Sequence, residues 1–176
     1  MNRKNQPSLL LGLAALALSA CSSNPPMQTV DYVDIERFMG DWYVIAHIPT
    51  FIERDAHNAL EQYELNEDGT IATTFTMRRG GFDERVREYN PTGFVRSENN
   101  AEWGMRFIWP FKGEFLIIYL DEDYQHTIIG RTKRDYVWLM AREPAMDEAD
   151  YQRLVQFIAD RGYDIGELRR VPHRWD

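Results

Sequence analysis

A chain of 176 residues with one cysteine cannot build a disulfide framework, and it offers no Cys-x-x-Cys pair to a metal or redox partner. Its histidines, His47, His57, His126 and His173, are scattered without the short spacing of a zinc motif. No Gly-x-Ser-x-Gly turn presents a nucleophile, and the carboxylates of residues 84–90 fit a solvated strand face better than an acid/base pair. Long basic runs are missing too. Met77-Arg78-Arg79-Gly80-Gly81 is too short for a phosphate-binding patch, and a net charge of −8 disfavours nucleic acid. No apolar stretch reaches the 18 residues or so that would span a bilayer. These absences argue against an enzyme, a bound metal or cofactor, and a nucleic-acid partner. What is present is 44% hydrophobic and 13% aromatic residues, enough for one folded domain with a substantial core.

The cysteine stands at position 21, at the end of a leader. Arg3 and Lys4 give that leader a positive start, Leu9 to Leu18 an uncharged apolar run, and Ser19 and Ala20 the small residues of a cleavage site. As a helix the run reaches only about 15 Å, roughly half a bilayer core. Leu18-Ser19-Ala20-Cys21 resembles the bacterial lipobox, which implies removal of residues 1–20 and acylation of Cys21. The alternative is an ordinary secretory signal with an incidental cysteine. By the same resemblance, Ser22 in the next position implies export to the outer membrane, facing the periplasm. Residues 21–34 then read as a lipidated N-terminus and polar tether, whose stretch from 22 to 29 reaches up to about 26 Å. Residues 35–176 read as the folded domain.

From residue 40 the chain alternates short β-leaning runs with turn residues, the pattern of an antiparallel sandwich or barrel. The runs are 42–48, 59–65, 70–77, 85–89 bending at Asn90-Pro91 into the next few residues, 102–109, 114–120, 126–132 and 136–142. Phe115 to Leu120 and Tyr136 to Met140 are apolar on both faces, so something must cover their outer side. Residues 147–162 supply the cover. Asp147 can cap a helix, Gly162 can end it, and Tyr151, Leu154, Val155 and Ile158 form one apolar stripe.

Eight strands, one late helix and Gly40-Asp41-Trp42-Tyr43 at the first strand together resemble the lipocalin family, most closely its bacterial outer-membrane lipoproteins and more distantly apolipoprotein D. Two later matches strengthen the likeness: Asp121 and Tyr124 before the seventh strand, and Arg142 after the eighth. The resemblance implies an all-β, eight-stranded antiparallel up-and-down barrel with a C-terminal α-helix outside it. It also implies structural roles for Gly40, Trp42, Asp121, Tyr124 and Arg142, with the arginine lying across the Trp42 ring at the closed end.

Strand parity then proposes a lining. With Trp42 pointing inward, Val44 and Ala46 follow it; Met140, Trp138 and Tyr136 share one side, and Met105 and Phe107 face away from Arg106. Each of these residues could equally be ordinary core. Together they suit an acyl chain, so the expected function is binding, storage or transport of fatty acids, lysophospholipids or similar lipids at the outer membrane. A structural lipoprotein whose barrel is filled by its own side chains is the alternative. The apolar run at 107–111 leaves a homodimer open.

Overall fold

A computed structural model describes residues 24–108 and 111–175. Cys21 and the whole leader lie outside the described residues. Ten strands form one sheet: β1 (Gly40–Ile48), β2 (Ala56–Leu65), β3 (Thr70–Arg79), β4 (Val86–Tyr89), β5 (Thr92–Val95), β6 (Glu102–Ile108), β7 (Phe111–Leu120), β8 (His126–Gly130), β9 (Val137–Ala141) and β10 (Arg169–Arg170). Successive staves pair antiparallel, β10 pairs with β1, and β1 also pairs with β9, so the sheet closes on itself. β4 and β5 both pair with β3 and are two halves of one stave, bent where Pro91 cannot donate to the ladder. The closed barrel therefore has eight staves, and the resemblance had implied as many.

Two apolar layers follow from the alternation. Phe38, Trp42, Val44, Tyr63, Ile71, Phe75, Met105, Phe115, Ile117, Ile129 and Met140 meet inside the barrel. Outside it, Ile45, Leu116, Ile118, Ile128, Val137 and Leu139 meet helix α2 (Glu148–Asp160) through Tyr151, Leu154 and Ile158. The doubly apolar strands are thus covered on both sides, as parity and the helix stripe require. Asp147 caps α2 by accepting from the Ala149 amide, and Gly162 follows it at φ +87°.

A one-turn helix α1 (Ile35–Phe38) and the strap before it were not legible in the sequence pattern. Val33 donates to the Asn99 carbonyl, Val30 to that of Ile117, and Met27 is buried in the outer layer. Asn24 Nδ2 donates to the Lys133 carbonyl at 2.9 Å, and Arg134 Nη1 to that of Pro25 at 2.6 Å. Residues 24–28 therefore lie on the outer wall and Val30 and Val33 tuck against the inner cluster, where a free tether was expected.

Candidate binding chamber

The barrel has unlike ends. β1 begins at the closed end, where Trp42 donates through Nε1 to the Phe38 carbonyl at 2.8 Å. The Arg142 guanidinium lies 3.9 Å from the Trp42 ring centre and donates to the carbonyls of Asp41, Arg37, Phe38 and Tyr124. One planar cation so joins α1, the start of β1 and the β7–β8 turn. Burial pulls its pKa below the usual arginine value, with Asp41 opposing. Gly40 sits at φ +93°, and a Cβ there would come 3.4 Å from Arg142 Nη1.

Asp121 accepts from the Gln125 and His126 amides and from His126 Nδ1, fixing the β7–β8 turn. Tyr124, at φ 58°, accepts through its hydroxyl from the Asp34 amide, and Arg37 lies over its ring. The five residues named from the resemblance thus gather at one end. Above them an aromatic plug fills the base, with Phe38 5.1 Å from Trp42 and 5.4 Å from Trp103, and Trp103 stacked on Phe115 at 5.0 Å.

Of the residues expected to line the interior, Val44, Met105, Trp138 and Met140 lie in or against the inner cluster. Tyr136 stands beside Trp138 near the open end, 6.3 Å between ring centres. Two expectations are corrected. Ala46 packs in the outer layer, because a bulge between Val44 and Ala46 lets Ile45 and Ala46 both face the helix. Phe107 is 58% exposed near the end of β6, within a second irregularity between Met105 and Ile108.

The first bulge also delivers an unexpected residue. His47 pairs directly with Trp138, is buried, and among the described residues its Nδ1 has no partner. Burial pushes its pKa down, against the attraction of Glu53. Glu53, in the β1–β2 connection, turns inward and accepts from Trp138 Nε1 at 2.7 Å and from the Thr50 amide at 2.9 Å. Deeper, Glu61 pairs with Trp42 on one side and Phe75 on the other, and accepts from the Tyr63 hydroxyl. Burial raises the Glu61 carboxyl to about 7, Tyr63 opposing and Glu53 adding to the rise. It drives the Tyr63 phenol well above its ordinary value, with Glu61 reinforcing.

Glu61 is partly exposed, although its strand partners Trp42 and Phe75 both belong to the inner cluster. The interior is an apolar chamber with a carboxyl on its wall, a histidine and a second carboxylate near its mouth, and a plugged floor. The pattern hid this polar set: Ala59, Glu61 and Tyr63 share a face, but Leu60 on the opposite face gave parity no decisive apolar side. Two grooves, of about 450 and 530 Å³, flank the mouth where the C-terminal segment enters between β1 and β2. His47 and Ala56 line the larger of them and Met77 the smaller, so both adjoin the inner face at the open end. Among the described residues, no group of three or more His, Cys, Asp or Glu side chains gathers to hold a metal.

The Lipocalin-like domain family model matches residues 33–173. Temperature-induced lipocalin-1 of Arabidopsis thaliana is 32% identical over 158 residues, which is 83% of this chain and 82% of that one. The outer membrane lipoprotein Blc of Escherichia coli K12 is 28% identical over 168 residues, 92% of this chain and 93% of its own. Among solved structures, the cockroach allergen Per a 4 superposes with a TM-score of 0.64 at 18% identity, over 86% of this chain and 96% of that one.

Proposed function

The chain belongs to the lipocalin family, whose barrels hold small hydrophobic ligands, and on that premise we propose an outer-membrane-anchored carrier of single-chain lipids, fatty acids or lysophospholipids, in envelope maintenance. The observation that carries this reading is the closed barrel, whose inner face is apolar from Val44 to Met140 and carries a partly exposed Glu61 paired with the inward Trp42 and Phe75. Its apolar wall suits one acyl chain, and the aromatic plug keeps the chamber short. The charges favour tail-first entry. An anionic headgroup at depth would face Glu61 and Glu53, whereas at the rim it can meet Arg87, which shares the inner face of β4 with Tyr89. Anchoring through acylated Cys21 is supported by the leader pattern and by the similarity to Blc.

Native mass spectrometry of residues 22–176, gently purified and then extracted with organic solvent, tests the carrier. One fatty acid or lysophospholipid per barrel is the expected result. Protein that emerges empty and ignores added lipid would sink the reading in favour of a barrel filled by its own side chains.

A further inference from the structure

Charge is distributed along the barrel axis with opposite signs. At the closed end Glu64 near the end of β2, Glu67 and Asp68 after it, and Asp121, Glu122 and Asp123 after β7 outnumber Arg37 and Arg142. The connections at the open end carry Arg54, Arg85 and Lys133, all exposed, and among the described residues none of the three is paired with a carboxylate. Acids stand there too, but Asp83 is taken by Arg174 and Asp135 by Arg131, which leaves Asp55 and Glu84. Between these cations the same end exposes large apolar side chains. Phe51 is 73% exposed, Phe107 58% and Val86 52%, each from a different part of the rim.

The strap ends here as well. Asn24 and Pro25 are held on Lys133 and Arg134, in the β8–β9 connection at the mouth. Two residues, Ser22 and Ser23, separate Asn24 from Cys21, three Cα steps with a reach of at most about 11 Å. The first described residue of the strap is thus held at the mouth.

We propose that the open end of the barrel docks on an anionic phospholipid bilayer, with Phe51, Val86 and Phe107 entering the headgroup boundary and Arg54, Arg85 and Lys133 meeting lipid phosphates. Apolar tips ringed by unpaired cations match such a surface on both counts, and the acidic closed end is repelled by it. The inference rests on the carrier reading only in that cargo would then enter and leave at the membrane. The docking itself needs neither cargo nor acylation.

The test uses residues 22–176, which retain every described contact of the strap and barrel, without the acyl anchor. Vesicles of phosphatidylcholine with phosphatidylglycerol are compared with phosphatidylcholine alone by co-sedimentation. Binding to the anionic vesicles, lost as salt rises, is expected. Replacing both exposed rings, Phe51→Ser with Phe107→Ser, should weaken it by roughly tenfold or more. Each of Arg54→Glu, Arg85→Glu and Lys133→Glu should weaken it by at least about fivefold. Glu67→Gln at the closed end should not weaken it.

Equal binding to both vesicle types, or rim variants that bind like the parent, would overturn the proposal. So would a free protein that sediments as a dimer, becomes a monomer with Phe107→Ser, and ignores vesicles; the face would then be an interface between copies. Lipid extraction from the same variants separates the two readings. A rim variant that keeps its cargo and loses the vesicles supports docking, while a parent that docks but never holds cargo refutes only the carrier.

Discussion

Glu61 sets a pH dependence that can be worked out by sign. Its folded pKa, about 7, lies above the ordinary 4.5, so the folded state holds the proton longer than the unfolded chain does. Its favourable share of stability is complete below pH 4.5 and is lost as pH rises through about 7, by up to roughly 3 kcal/mol. Glu61→Gln keeps the shape and removes the titration. Urea unfolding from pH 4.5 to 8 should show the variant flatter across this window and more stable than the parent at the alkaline end; parallel curves would mean that Glu61 does not titrate there. His47, whose pKa is lowered, resists protonation in the fold. Its share is present at neutral pH and falls as the unfolded chain takes up protons below the ordinary value of 6.5, so the two groups act in opposite directions.

At the scale of elements, the seat of α2 on the sheet turns on one glycine. A Cβ on Gly130 would stand 2.6 Å from the Tyr163 hydroxyl and 2.9 Å from an Ile118 methyl. That hydroxyl also accepts from the Arg131 amide at 2.7 Å, so it cannot retreat without losing a bond. Gly130→Ala is expected to cost about 1–3 kcal/mol in chemical denaturation, with part of the loss recovered by adding Tyr163→Phe. No recovery would show that Ile118 carries the clash. The strands, the late helix and its stripe were all readable, because burial on one or both faces writes itself into alternation and spacing. Bulges leave no such mark. Nothing in Val44-Ile45-Ala46 announces an extra residue, yet that one insertion sends Ala46 to the helix and His47 to the chamber. Glu53 was equally hidden, since a connection has no period from which to infer where its side chain turns.

Taken whole, the molecule is a closed barrel with a strap bound along its outside. Met27 buries its side chain in the layer shared with α2, and Gln28 accepts from Arg161. Starting the chain at residue 30 should lower stability by about 2 kcal/mol, mostly from that buried methionine, without changing the barrel's circular dichroism. An unchanged urea midpoint would mean that the strap only lies against the wall. Its placement has a consequence for the order of assembly. Asn24 finds its partner 109 residues later, and β1 closes the ring only with β9. The earliest described residues to leave the ribosome are thus among the last to be satisfied. Local hairpins can form as they emerge, but the ring stays open until Ala141 has been made. A nascent chain awaiting its closing strand is still threadable, and the fold becomes final only after nearly all of it has been synthesised.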